Sequence, residues 1–487
     1  PRLDNCERIL AAVAFATNSS FLPSIPGAGQ ISISKSIILI FMFLNSCGGG
    51  TSDTGKEENV SNLNFECILP YVDSYPESYL GPHKIPEKLH ILNSSISKRS
   101  ISFKDYFGGN AFKITGEQNS NGEPIWSGCT QDEFSKKIYT ETLTKMKEAG
   151  ANLAWIYNYA PWIDDKAEIL EISVANYQIS DEMIKWIARE ANGMGIEIYY
   201  AWQFWGIDKD QDVIYEMGSI PDIPMLKKIM DAHEINIINQ ASVAQTAGIT
   251  GIAADWNAMS ICFCGETSET LKEYYIARLS GIIDKVKEVF SGQVLVGQIG
   301  NVFNDKRIFS KADGLYLSVT GNHIMKISEE ENINLTPDMI RLATFSYLQY
   351  EYEKMYCEDL QPCWHGTSSK RLPVMINFSA QSRSDYWVKG WTEDGFCISG
   401  SLDDGTSDEC IQNYYTTDFS AQAIGMEGML QAINQQSYFE IMGVDVHTGY
   451  WLTDTLIPGE EGFPNLSQSI RGKPAEEIVK YWYTGRQ

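Results

Sequence analysis

From about Gly108 onward, short apolar runs alternate with longer amphipathic stretches, the pattern that βα units and a parallel sheet require. Phe112 to Thr115 reads as a first strand. Asp132 to Ala149 carries Phe134, Ile138, Leu143 and Met146 at helical spacing, and Gly150 stops it. Asn152 to Tyr157 is then a second strand. A helix capped by Ser180 runs through Asn192 into Gly193, and Ile196 to Trp202 follows as the third strand. Met225 to Thr246 is helical, a fourth strand lies between Ile249 and Cys264, and Glu269 to Phe290 is a long amphipathic helix. Gln293 to Gln298, Gly314 to Val319, Leu372 to Phe378 and Phe439 to Val446 supply strands five to eight. Eight strands with helices between them predict an α/β fold, a (β/α)8 TIM barrel with long loop insertions. No G-x-G-x-x-G follows any strand, which counts against an open dinucleotide-binding sheet. The connections His323 to Lys370 and Gln381 to Thr417 are long. In a barrel the loops after strands build the working face, so these two are expected to wall a cleft.

The amino-terminal part has a different pattern. Lys35 precedes an apolar run from Ile37 to Leu44, too short for a membrane-spanning helix and right for the apolar region of a signal peptide. Leu44-Asn45-Ser46-Cys47 follows and resembles a bacterial lipobox, which implies lipidation of Cys47 after cleavage. Gly48 to Ser61 is polar and Gly-rich, as a tether is. The expected division is an upstream extension and signal peptide over 1–46, a tether over 47–61 and the barrel over 62–487. The expected location is the bacterial cell envelope, with the membrane as a partner through Cys47. Setting aside Cys6 and Cys47 leaves eight of the ten cysteines. An even number in an exported chain permits disulfides, and Cys357 with Cys363 and Cys397 with Cys410 are close enough to staple loops, whereas Cys262 and Cys264 read as buried thiols.

A formal net charge of −25 repels phosphate backbones, and no Lys/Arg cluster offers a local exception, so nucleic acid is not expected as a partner. Twelve Trp and twenty-five Tyr favour sugar rings, whose apolar faces stack on aromatic planes. No CxxC pair or HExxH occurs, and neither a metal nor a cofactor is expected.

Barrel enzymes place reactive groups at the carboxyl ends of strands. Tyr159 and Trp162 follow strand two; Gln203, Trp205 and Asp208 follow strand three. Strand four offers Asp255, beside Trp256, and Glu266. Gln298 and Asn301 end strand five, and Asn322 and His323 end strand six. Strand seven ends at Asn377, Gln381, Arg383 and Asp385, with Trp387 beyond, and strand eight at Asp445, His447 and Trp451. Carboxylates, amides and tryptophans without a Cys/His pair or a G-x-S-x-G elbow suit a poly- or oligosaccharide. Glycoside hydrolysis needs two carboxyl groups flanking one bond, which makes Glu266, Asp445 and Asp255 the catalytic candidates. Gln203, Gln298, Asn377 and His447 are candidate hydrogen-bonding groups for sugar, and Trp205, Trp256, Trp387 and Trp451 candidate stacking platforms. Asp255 reads equally as a turn-capping residue, Glu266 as a helix N-terminal residue stabilised by the dipole, and His447 as a satisfied hydrogen-bonding group.

Several segments resemble glycoside hydrolase clan A, particularly its β-mannanase-type branch. ICFCGETSETLKEYYIARLSGIIDKVKEVFSGQVLVGQIGN is similar to the strand-four region there, ADGLYLSV to the strand-six segment, LPVMINFSAQS to the strand-seven segment and SIRGKPAEEIVKYWY to the closing helix. The resemblance spans roughly Lys145 to Tyr483. It implies hydrolysis of a β-linked glycan, with Glu266 at the general acid/base position. It also implies a nucleophilic Glu on strand seven, where this chain has Asn377. Three readings follow: another carboxylate, Asp445 or Asp385, supplies the second role; the barrel binds glycan without turnover; or strand seven is shifted in register.

Overall fold

The computed structural model describes residues 75–104, 131–159, 163–164, 179–203, 206–208, 213–215, 222–255, 268–298, 306–321, 323–324, 326–356, 371–389, 416–451 and 466–486. The chain divides between Asn64 and Phe65, and every described residue belongs to the second unit. Cys47, the proposed cysteine pairs and the 112–115 segment lie outside the described residues. Among the described residues no helix is long and apolar enough to cross a membrane.

Eight strands form a closed, wholly parallel barrel: β1 (Lys98–Lys104), β2 (Leu153–Tyr159), β3 (Glu197–Gln203), β4 (Gly251–Ala253), β5 (Gln293–Gln298), β6 (Gly314–Val319), β7 (Val374–Phe378) and β8 (Ile441–Trp451). Each strand pairs with its neighbours in chain order, and β1 closes the ring between β8 and β2. Strands two to eight fall where the apolar runs predict them. The first strand does not: it is Lys98–Lys104, upstream of Phe112 to Thr115. Its KRSISFK sequence carries serines on the inward face, so it lacks the apolar run by which buried parallel strands are usually read.

Period-two alternation sorts the strand side chains into two layers. Trp155, Tyr157, Tyr199, Leu295 and Tyr316 fill the interior, while Ile156, Ile198, Val294 and Leu317 pack outward against the helices. The Trp155 ring fills the barrel, stacked on Tyr157 at 6.1 Å and edge-on to Tyr199 at 5.1 Å. A Cβ at Gly251 would stand 2.7 Å from the Tyr199 ring, so β4 needs glycine opposite that tyrosine.

The outer ring includes α1 (Gln131–Glu148), α2 (Asp181–Gly193), α3 (Ile223–Ala247) and α4 (Ser268–Val289), each within two residues of its predicted bounds. The Ser180 side chain accepts the Met183 N–H, closing the first turn of α2 as expected. The connection from His323 to Lys370 is not simply a long loop. It holds a short helix, Glu329–Ile333, and the twenty-residue α5 (Pro337–Tyr356). Ile340, Ala343, Tyr347, Leu348, Tyr352 and Met355 are its buried stripe at helical spacing, obscured in the sequence by Thr344 and Glu351 on the same face. Next come α6 (Phe419–Gln435), buried along almost its whole length, and α7 (Pro474–Thr484). Beyond β2 and β3, a three-stranded sheet joins Ile163–Asp164, Gly206–Asp208 and Val213–Tyr215.

Candidate functional site

Because every strand runs the same way, the inward side chains near the carboxyl ends converge on one mouth, and in five strands these positions are polar. They are Ser100 and Ser102 on β1, Tyr157 on β2, Tyr316 on β6, Asn377 on β7 and Asp445 with His447 on β8.

Asp445 is the centre of this group and is fully buried. Ser100 Oγ donates to its Oδ1 at 2.7 Å, and the Tyr316 hydroxyl donates to its Oδ2 at 2.7 Å. The Tyr157 hydroxyl stands farther off, 3.4 Å from the same Oδ2. Burial pushes the Asp445 carboxyl up to about 6, against the opposing pull of its hydroxyl donors. Tyr157 and Tyr316 are both pushed well above the usual phenol value, by burial first and then by the Asp445 charge, and stay neutral. Their hydroxyl oxygens are 2.6 Å apart. Asn377 Nδ2 donates to the Tyr316 hydroxyl at 2.7 Å, and His447 Nδ1 is 3.1 Å from the Tyr157 hydroxyl with the two rings edge to face. Two buried acceptors of β7 and its extension, Asn377 Oδ1 and Ser379 Oγ, have no hydrogen-bond partner among the described residues.

Asn377 pairs with Ser318 on one side and Asp445 on the other, in unbroken parallel register from Met375 to Phe378. Strand seven therefore sets an amide, Asn377, beside Asp445. Asp385, the other carboxylate near strand seven, is paired with cations. Arg383 Nε and Nη2 both donate to its Oδ1, at 3.0 and 2.8 Å, and Lys389 lies 3.2 Å from Oδ2, so two cations hold it as a structural brace. Trp387 is a correction: it is buried against Tyr386 and α6, and its indole N–H donates to the Ala421 carbonyl at 3.1 Å. The ring is part of the helix packing and presents no face for stacking.

Asp255, two residues beyond β4, is also buried, and its carboxylate accepts the Gly297 N–H at 2.7 Å and its own backbone N–H. Burial pushes it up to about 7. Its bonds tie the end of β4 to β5, the capping role, and do not join the Asp445 group. Gln203, Gln298 and Trp451 lie within strands, paired with Tyr159, Leu317 and Lys104; their side chains lie outside the described residues, as do Glu266, Trp205 and Trp256 entirely.

Sequence reasoning missed Ser100, Ser102, Tyr157 and Tyr316. The signal was present in NLAWIY and GLYLSV, each with a tyrosine at an inward position of a strand. A search confined to residues following the strands passes over groups that point into the barrel from within them.

No known family and no curated protein matches this sequence. Among solved structures the chain is similar to a GH113 beta-1,4-mannanase at 11% identity, covering 82% of this chain and 100% of that one, with a TM-score of 0.47. It is also similar to the GH113 beta-mannanase from Alicyclobacillus acidocaldarius in complex with ManMIm (14% identity, 82% and 98% covered, TM-score 0.46). A GH5-4 broad specificity endoglucanase from an uncultured bacterium shares 12% identity over 83% and 98% of the two chains, at a TM-score of 0.41. The closed strand order defines the class as a (β/α)8 barrel without help from these likenesses, and function has to be argued from the site.

Proposed function

We propose that this chain is a glycoside hydrolase acting on a β-linked poly- or oligosaccharide at the carboxyl face of its barrel. The observation that carries the reading is the Asp445 carboxyl, buried among hydroxyls and an amide and held near 6. Hydrolysis of a glycosidic bond at neutral pH needs one group that gives a proton and one that draws a proton from water, both titrating near the working pH. Asp445 meets that requirement from the β8 side of the mouth. Glu266, on the strand-four side of the sequence, is the acid that protonates the leaving oxygen. Asn377 has no carboxylate with which to form a glycosyl ester, so water attacks the anomeric carbon directly and the product inverts. Asn377 Oδ1 and Ser379 Oγ, without partners among the described residues, suit a hydroxyl-rich ligand.

A second reading, glycan binding without turnover, is favoured by the enclosure of Asp445, whose two oxygens already accept from Ser100 and Tyr316. Glu266→Gln separates the two. The hydrolase reading expects reducing-sugar release to fall by about 10² to 10⁴, with calorimetric affinity for the same glycan within a few fold. Binding by a parent protein that releases no sugar would establish the binder instead.

A further inference from the structure

With Asp445 ionised, the hydrogen bonds around it run in one direction. An ionised carboxylate accepts and cannot donate, so the Tyr316 hydrogen points at Asp445 Oδ2 across 2.7 Å. Asn377 Nδ2 donates to the Tyr316 oxygen from another side, which leaves that oxygen accepting from Tyr157 as well. The 2.6 Å separation of the two phenolic oxygens must contain a hydrogen, and it is Tyr157's. Tyr157, having given its hydrogen to Tyr316, can only accept from His447 Nδ1 at 3.1 Å. The imidazole is thereby held with hydrogen on Nδ1 and its lone pair on Nε2. Ser102 also interacts with Tyr157 and Asp445, but its single hydrogen is within reach of the Val446 carbonyl at 3.2 Å, and the direction is set by the two short contacts, which need two hydrogens of which Tyr316 supplies one. Among the described residues, the side chains that hydrogen-bond Asp445 are neutral: Ser100 and Ser102 from β1, Tyr157 from β2 and Tyr316 from β6. From α7, the Tyr483 hydroxyl donates to the Ser100 carbonyl and also feels the Asp445 charge.

We propose that His447 is the base that takes the proton from the attacking water, and that Asp445 positions it through the hydroxyls of Tyr316 and Tyr157. His447 lies two residues nearer the carboxyl end of β8 than Asp445 and is half-buried rather than enclosed, which is where a group meeting water has to be. The proposal rests on the hydrolase reading and moves the base from the enclosed Asp445 to His447. The water oxygen bonds to the anomeric carbon, its proton passes to Nε2, and the glycosidic C–O bond breaks with its electron pair going to the leaving oxygen, which the general acid protonates. The resulting imidazolium keeps its Nδ1–H on Tyr157, and the ionised carboxylate two hydroxyls away favours that charge. His447 is then a catalytic residue, and Tyr157, Tyr316 and Asp445 are positioning residues.

The relay can be read without any glycan. The full chain is labelled with 15N-histidine, and long-range 1H–15N correlations are recorded at pH 8. The chain has six histidines, and the His447 signal is the one lost in His447→Gln. The expected result is a protonated, pyrrole-type Nδ1 and an unprotonated, pyridine-type Nε2 in the parent, with that preference lost in Tyr157→Phe. A parent whose hydrogen sits on Nε2 overturns the proposal, whether or not the Phe variant folds, and so does an Nδ1–H tautomer indifferent to Tyr157→Phe. With glycan present, His447→Gln should lower kcat by about 10² to 10⁴ while KM stays within a few fold; unchanged kcat removes the base role. The hydrolase reading fails separately, when the parent shows the Nδ1–H tautomer and its loss in Tyr157→Phe yet releases no reducing sugar.

Discussion

Of the carboxyl groups buried among the described residues, Glu427 and Asp445 lie at similar depth and have opposite characters. Glu427, on α6, is enclosed among helices: the Trp482 indole N–H donates to its Oε2 at 2.6 Å, and the Gln431 amide donates to its Oε1 at 2.7 Å. His90 Nδ1 stands 2.9 Å from the same Oε1, its ring stacked on Trp482. Indole and amide N–H groups only donate, so Trp482 and Gln431 use Glu427 as an acceptor on both oxygens. Asp445, inside the barrel, is surrounded by hydroxyls, which donate or accept as required. Its shell tolerates both protonation states, and the direction of the hydrogen bonds can follow the proton. Burial alone therefore does not mark a functional carboxyl; the chemistry of the partners does. Donor-only partners make a strut, whereas amphoteric partners make a group that can change state.

The comparison is broken most forcefully at the strut. Glu427→Leu leaves the buried Trp482 indole and the half-buried Gln431 amide without their acceptor, and should cost about 2 to 4 kcal/mol. Urea unfolding followed by fluorescence measures that loss. The specific activity of the folded protein should remain within twofold of the parent, and a selective loss of activity would erase the distinction between the two carboxyls.

A smaller, pH-dependent effect is expected at Asp255. Its folded value of about 7 lies above the ordinary 3.8, so between those values the folded state holds a proton that the unfolded chain has released. The associated stability is fully present below about pH 4, is lost as pH rises through 7, and stays lost above that. At about 1.36 kcal/mol per unit the ionisation costs the fold on the order of 4 kcal/mol at pH 8. Asp255→Asn keeps an acceptor for the Gly297 N–H and removes this cost. It should raise the melting temperature at pH 8 by a few degrees and change it little at pH 4. Equal shifts at both pH values would mean that ionisation is not what burial penalises there.

Seven of the eight barrel strands could be read from the sequence because buried parallel strands are short apolar runs, and NLAWIY, IEIYYAW and LPVMINF are such runs. β1 could not, because its inward face is Ser100 and Ser102, and those serines are inward because Asp445 needs donors across the β1–β8 pair. The feature that hid the strand is thus part of the site. Asp445, Asn377 and His447 were singled out from their positions at strand ends, and the structure brings those three together. Tyr157 and Tyr316, which connect them, looked like core aromatics, and nothing local in a sequence separates a tyrosine that fills space from one whose hydroxyl carries a hydrogen-bond chain. Trp387 erred in the other direction. A tryptophan after a strand suggests a sugar platform, but here Gly425 on α6 makes room for the ring, with the site of a glycine Cβ 2.0 Å from it.

The central claim is that the Asp445 group serves turnover, and the most direct test is to compare Asp445→Asn with the parent on a β-linked glycan from which the parent releases reducing sugar, following kcat and thermal stability together. Removing the carboxylate charge removes the support for the imidazolium, and kcat should fall by about 10² to 10⁴. Removing an ionisation that burial penalises should leave the melting temperature at pH 8 equal to the parent's or above it. A variant that melts well below the parent while the protein that remains folded turns over at the parental rate would contradict the account and make Asp445 a second strut.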